Sequence, residues 1–136
     1  MLKKSFALTL ASATVLALLS AGAADKKVDT SKLPPAAAKA GVTYAADIKP
    51  IFEKSCFKCH GSEKQKGKLR LDSLEAVLKG GEDGKILEAG KSADSAVVQA
   101  VARLDDDTAM PPDGKGDPLT KDQIGLIRAW IDQGAK

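Results

Sequence analysis

The sequence contains few of the side chains that ligate metals or form disulfides. Among 136 residues there are two cysteines, one histidine and two methionines. A structural zinc site takes about four cysteine or histidine ligands, and this chain offers three. A redox dithiol of the thioredoxin type accompanies a βαβ pattern, whereas this sequence has helical periods and almost no strand pattern. Zinc binding and dithiol chemistry are therefore the weaker interpretations of the two cysteines.

Aromatic residues are also scarce, and neither sign of charge dominates. The chain has one tryptophan, one tyrosine and three phenylalanines, and its formal net charge at pH 7 is +3. No basic stripe with interleaved aromatic residues is present. We therefore do not expect nucleic-acid binding.

Both cysteines and the histidine fall in a single motif. Residues 56–60 read Cys-Phe-Lys-Cys-His, which is the attachment signature of a c-type haem: the two thiols bond the porphyrin and the histidine ligates its iron. Apart from the initiator, Met110 is the only methionine, and a thioether is a common partner of histidine on electron-transfer haems. We predict one covalent haem c, attached through Cys56 and Cys59 and ligated by His60 and Met110. A gap-filling core residue is the alternative for Met110.

The N-terminus has the pattern of a secretory signal. Residues 1–23 combine Lys3 and Lys4 with an apolar stretch and a small-residue cleavage site. We expect export, to the periplasm or an equivalent compartment, with a retained membrane anchor as the alternative. Residues 24–42 contain little that could be buried, so we predict a flexible arm that is compatible with tethering to a membrane. The folded domain is predicted over residues 43–136.

Helical patterns over that domain predict an all-α fold with long loops. A first helix is expected from near Asp47 to Cys56, and the last opens at the capping box of Thr120 and Gln123 and ends at Gly134. Between them we predict a short helix capped by Asp72 and a helix over 93–103 capped by Ser92. The loop 105–119 carries Met110.

These segments resemble the planctomycete-type monohaem cytochrome c domain, a variant of the class I cytochrome c pattern. The resemblance covers about residues 44–135 and rests on the order of segments 47–61, 66–73, 110–112 and 128–135. It implies a small class I cytochrome c-like fold in which the first and last helices cross beside the haem. It also implies that His60 and Met110 ligate from opposite sides and that the domain carries one electron at a time. Class I cytochromes often use the carbonyl of a proline soon after the motif to receive the histidine N–H, and here no proline occurs between Pro50 and Pro111.

Several further residues are candidates for contact with the haem. Arg70 and Arg103 are candidate partners of the propionates, because a guanidinium matches a carboxylate with two hydrogen bonds; a solvated surface arginine is the alternative for each. Trp130 is predicted to pack on the first helix rather than to bond a propionate. The predicted haem wall consists of apolar side chains: Leu69, Leu71, Leu74, Val101 and Leu104.

The sequence predicts an electron carrier rather than an enzyme. Two protein ligands would leave no open coordination position on the iron, and no second histidine is present for peroxidase-type acid-base chemistry. We expect a monomer whose partners are redox proteins, a donor and an acceptor. Two alternatives stay open, a haem subunit of a larger oxidoreductase complex and a haem sensor or enzyme with an open distal site. Lysines near the motif could steer an acidic partner: Lys54, Lys58, Lys64, Lys66 and Lys68.

Overall fold

The computed structural model describes residues 27–136, and this part of the chain contains five α-helices and no β-strand. The predicted all-α class is confirmed there. The predicted signal, residues 1–23, lies outside the described residues. Short helical turns accompany the α-helices at Thr30–Lys32, Tyr44–Ile48 and Lys66–Lys68. The five helices are α1 (Lys49–Ser55), α2 (Phe57–His60), α3 (Leu74–Lys79), α4 (Ala96–Val101) and α5 (Lys121–Asp132).

Helix α5 begins as the sequence predicts. Thr120 Oγ1 accepts a hydrogen bond from Gln123 N at 3.2 Å, and Gln123 Oε1 accepts one from Thr120 N at 2.9 Å. This reciprocal pair satisfies two of the backbone donors that a helix start leaves without partners. Over its 12 residues α5 turns one apolar face to the core, with these side chains buried: Ile124, Ile127, Trp130 and Ile131.

The N-terminal helical segment packs on α5 through aromatic rings. Trp130 and Phe52 are fully buried, and the ring of Tyr44 lies 6.0 Å from that of Trp130 and 6.5 Å from that of Phe52. Trp130 Nε1 donates to the backbone carbonyl of Lys136 at 2.9 Å. The prediction that Trp130 is a core residue is therefore supported, because its only polar atom already has a backbone partner.

Helices α3 and α4 begin later than predicted. Ser73, not Asp72, caps α3, since Ser73 Oγ accepts from Ala76 N at 3.2 Å. Ser92 does not cap α4; its N and Oγ donate to the two carboxylate oxygens of Asp132 at 2.9 Å each. Ser92 thus links the residues before α4 to α5 by hydrogen bonds. Helix α4 itself is six residues long.

The predicted flexible arm, residues 24–42, is corrected for its later part. Residues 33–42, which we call the N-terminal strap, lie along α5. Ala37 N donates to the carbonyl of Gly125 at 2.9 Å, and Arg128 donates to the carbonyl of Pro34. Gln133 holds the far end, donating to the Lys39 carbonyl at 2.8 Å and accepting from Val42 N at 3.1 Å. The folded region therefore starts before the predicted boundary at residue 43.

Glycine at position 125 permits this close approach. A Cβ there would lie 2.8 Å from the carbonyl oxygen of Pro35, which is closer than real Cβ contacts with oxygen. The strap can lie on α5 only because the helix surface is bare at this point.

In the described residues, no helix has the length and apolar character needed to cross a membrane.

Candidate haem-binding site

The Cys56–His60 segment forms one compact helical turn at the junction of α1 and α2. Cys56 N donates to the carbonyl of Phe52 at 2.7 Å, while the carbonyl of Cys56 accepts from Cys59 N at 3.0 Å and from His60 N at 2.9 Å. The buried glycine that follows, Gly61, leaves no room for a side chain, because a Cβ there would lie 2.5 Å from the carbonyl oxygen of Phe57. Both thiols and the imidazole are therefore brought together within one turn.

His60 and Met110 border the same three cavities. The largest, with a volume of ≈ 330 Å³, is bordered by both residues and by Cys56, and we call it the apolar cavity. A second, of ≈ 290 Å³, lies between His60, Met110, Cys59 and the loops around residues 67 and 81–84, and we call it the loop cavity. A third, of ≈ 40 Å³, is bordered by both cysteines as well as by His60 and Met110. The four residues of the predicted haem set thus meet at one place in the fold.

The walls of the apolar cavity agree in part with the predicted haem wall. Leu69, Leu71 and Val101 line it, whereas Leu74 and Leu104 do not. Sequence analysis missed several wall residues because the same side chains also fit an ordinary helix-helix core. These additional wall residues are Phe52, Ile86, Ala96, Val97 and Ala100.

Met110 lies on the loop that follows α4, and its backbone N donates to the carbonyl of Ala100 at 3.0 Å. The residue is 37% exposed, and among the described residues only Leu78, at 39%, is a comparably exposed large apolar side chain. A gap-filling core residue would be buried. The position of Met110 therefore argues against the core alternative.

The imidazole of His60 has one buried nitrogen without a hydrogen-bond partner in the described part of the chain. This atom is Nδ1. The absence of an acceptor agrees with the absence of a proline soon after the motif.

Burial raises the pKa of the Cys56 thiol to about 12. Reactive dithiols have depressed thiol pKa values, which keep part of the sulfur as thiolate at neutral pH. Cys56 has the opposite environment, and the dithiol interpretation loses support. Within residues 27–136, no group of three or more histidine, cysteine, aspartate and glutamate side chains is arranged to hold a metal ion.

Both predicted propionate partners make hydrogen bonds to protein groups in this structure. Arg70 makes two hydrogen bonds to Asp72, Nε to Oδ1 at 3.0 Å and Nη2 to Oδ2 at 2.7 Å. The same guanidinium lowers the pKa of Asp72. Arg103 donates to the carbonyl of Pro111 at 2.6 Å and to the carboxylate of Asp113. Neither arginine borders the three cavities, and the cations that do are lysines: Lys58, Lys66 and Lys115.

This arrangement suits a flat apolar cofactor attached at one edge. Two thiols, an imidazole and a thioether border the same cavity. The apolar cavity beside it is walled mostly by apolar side chains. A comparison with protein families supports the same conclusion. Residues 56–114, which run from the first cysteine past Met110, match the family described as Planctomycete cytochrome C.

This match supports a planctomycete-type cytochrome c domain in the chain. No curated protein and no solved structure matches the chain. A cytochrome c domain binds haem and serves electron transfer, and the spacing of Cys56, Cys59 and His60 fits covalent attachment.

Proposed function

We propose that the protein is an exported monohaem cytochrome c that carries single electrons through a haem attached to Cys56 and Cys59 and ligated by His60 and Met110. The observation that supports this most strongly is that His60 and Met110 border all three cavities beside the cysteines. When bound, the haem iron supplies a reversible one-electron change. The protein's task is to hold it and to control what reaches it.

The imidazole of His60 and the thioether of Met110 would hold the haem iron. A thioether ligand would favour the reduced form. With both side chains bound, the iron would have no free position for a substrate, which is what separates a carrier from a sensor or an enzyme.

The unpartnered Nδ1 of His60 acts in the same direction as Met110. A hydrogen-bond acceptor on the second nitrogen makes a ligating imidazole more basic and stabilises oxidised iron. Among the described residues no such acceptor reaches His60. Without such an acceptor the imidazole would be a weaker electron donor to a bound haem iron, which would favour the reduced form further.

The apolar wall excludes water from one face of the cofactor. Phe52 is fully buried, and Leu71 and Val101 are 5% and 4% exposed. A dry, low-dielectric surrounding tunes the potential and limits reorganisation when the charge on the iron changes. We expect polar substitutions in this wall to shift the potential more than they change the ligands.

The remaining parts of the proposal concern the fold and its setting. We propose the class I cytochrome c-like arrangement, with the N-terminal helical segment and α5 packed through Tyr44 and Trp130. The signal pattern in residues 1–23 supports export, since c-type haem is attached outside the cytoplasm. We further propose that the protein acts as a monomer.

Redox partners with an acidic face fit the surface around the attachment motif. Lys58 and Lys66 border the cavities, and Lys64 is exposed nearby. Positive charge there raises the rate of encounter with an acidic partner, and salt screens the effect. Replacing these three lysines by glutamine should lower electron-transfer rates at low salt; unchanged rates and unchanged salt dependence would contradict the idea.

The experiment that tests the proposed function compares Met110→Ala with Leu78→Ala. Leu78 is the matched control, because it is equally exposed and borders none of the cavities. Oxidised wild-type protein with haem should show the far-red sulfur-to-iron band, Met110→Ala should lose it, and Leu78→Ala should keep it. A wild type that lacks the band and binds carbon monoxide rapidly when reduced would instead indicate a sensor or an enzyme.

A further inference from the structure

Arg103 stands where the chain leaves α4 and starts toward Met110. Its backbone has a φ of 55°, in the left-handed region that few residues other than glycine adopt. The backbone N of Arg103 and that of Met110 both donate to the carbonyl of Ala100, each at 3.0 Å. The loop between them therefore leaves and returns to the same carbonyl at the end of α4.

The side chain of Arg103 closes the loop on the other side of Met110. Nη1 donates to the carbonyl of Pro111 at 2.6 Å, and Pro111 is buried, with Gly116 packed against its ring so that a Cβ there would lie 3.3 Å from it. Met110 is thus held by its own N–H on one side and by the carbonyl of the next residue on the other. The backbone that carries the thioether is therefore anchored on both sides of Met110.

The two hydrogen bonds of the Arg103 guanidinium differ in strength. The side chain of Arg103 is 26% exposed, and that of Asp113 is 94% exposed. An ion pair with so exposed a partner contributes little because water screens it. The bond to the Pro111 carbonyl is charge-assisted and partly buried, so it is the stronger of the two.

We infer that Arg103 is a positioning residue that keeps the thioether of Met110 on the haem iron by pinning the Pro111 carbonyl. This inference rests on the proposed ligation by Met110. Arg103 acts on the lifetime of the ligand bond, and its guanidinium is not a propionate partner.

The test measures how fast imidazole displaces Met110 from the oxidised protein with haem. Loss of a charge-assisted hydrogen bond in Arg103→Gln should raise the displacement rate about tenfold. Arg103→Lys keeps the charge but not the planar fork and should give an intermediate rate. Asp113→Asn should leave the rate near that of wild type, because only the exposed bond is lost.

Arg70→Gln is the matched control for general destabilisation. It removes a two-bond pair with Asp72 whose two residues border none of the three cavities and do not contact the Met110 loop through any hydrogen bond of that pair, so it should not change the displacement rate. Hydrogen exchange at the amide of Met110 gives a second readout, which should quicken in Arg103→Gln and not in Arg70→Gln. If Arg103→Gln folds poorly, the displacement rate and the hydrogen exchange at the Met110 amide are measured in Arg103→Lys instead.

The outcomes separate this inference from the proposed function. A wild type with the sulfur-to-iron band and an Arg103→Gln variant with unchanged displacement and exchange would overturn the inference alone. A wild type without the band would overturn ligation by Met110 and the role of Arg103 with it.

Discussion

The two sides of the molecule are built in different ways. The helical side, formed by the N-terminal strap, the Tyr44–Ser55 segment and α5, fills its interior with its own side chains, and Trp130, Phe52, Ile127 and Ile131 are fully buried. The loop side, residues 66–117, has helices of six residues and surrounds cavities of ≈ 330 and ≈ 290 Å³. The helical side also borders a cavity of ≈ 730 Å³, between the strap and α5. What distinguishes the loop side is that its cavities lie against the cysteines, His60 and Met110.

The difference also appears in the backbone. On the loop side the chain turns at residues with positive φ, among them Gly67, Lys68, Gly80, Gly84 and Arg103. Such turns leave few consecutive residues to form regular hydrogen bonds, so local structure contributes less to stability there. We expect the loop side to depend on the haem for its order and the helical side to depend on it less.

Removing the haem should give the largest effect. In Cys56→Ser/Cys59→Ser, unfilled space of this volume would cost an amount comparable to the whole stability of a small domain, about 5–15 kcal/mol. Hydrogen exchange should show protection lost first over residues 80–86 and 103–117 and retained longest over α5. If protection fell equally over both sides, the molecule would be one cooperative unit and the comparison would fail.

Gly125→Ala should change the free energy of unfolding by a smaller amount, and whether the variant is more or less stable is informative. In an exposed helix this change stabilises by about 1 kcal/mol through helix propensity. Here the new Cβ meets the carbonyl oxygen of Pro35 at 2.8 Å, so we expect a net loss of about 1–3 kcal/mol in thermal or denaturant unfolding. Faster exchange at the amide of Ala37 should accompany it, and a stabilised variant would show that the strap does not bind α5.

Tyr44 joins the two sides and should give the smallest effect. Its hydroxyl donates to the carbonyl of Leu71 at 2.7 Å, and burial raises its pKa from 10.0 to about 12. Because the folded state holds this proton more tightly, the contribution of the Tyr44 hydroxyl to the free energy of unfolding is complete below pH 10 and is lost as the pH rises toward 12. Tyr44→Phe should cost about 1 kcal/mol at neutral pH.

The control for this prediction is the pH dependence itself. Between pH 8 and 12 the free energy of unfolding should fall less steeply with pH in Tyr44→Phe than in wild type. Equal slopes would mean that the phenol titrates in the folded protein as it does in the unfolded chain.

What could be predicted from sequence follows the same division. Helix α5 was predicted with its cap and its buried face, because Thr120 and Gln123 lie three residues apart in the sequence and the apolar period is long. The cysteines, His60 and Met110 were named from a motif and from the scarcity of such residues, and all four border one cavity.

The failures share a physical reason. The strap binds through backbone carbonyls, those of Pro34 and Lys39, and such contacts leave no pattern of side chains to read. Arg103 was expected to pair with a haem carboxylate, but its guanidinium donates to the carbonyl of Pro111 and to the carboxylate of Asp113. In both cases the position of the partner depends on the folded loops rather than on local sequence.

Electron carriage as proposed depends most on iron ligation by His60 and Met110, and iron X-ray absorption of the protein with haem tests this ligation most directly. Measured in both oxidation states, the spectra should show one thioether sulfur and one imidazole nitrogen bound to iron besides the porphyrin nitrogens. Spectra without a sulfur neighbour in either state would contradict ligation by Met110 and the electron-carrier function proposed from it.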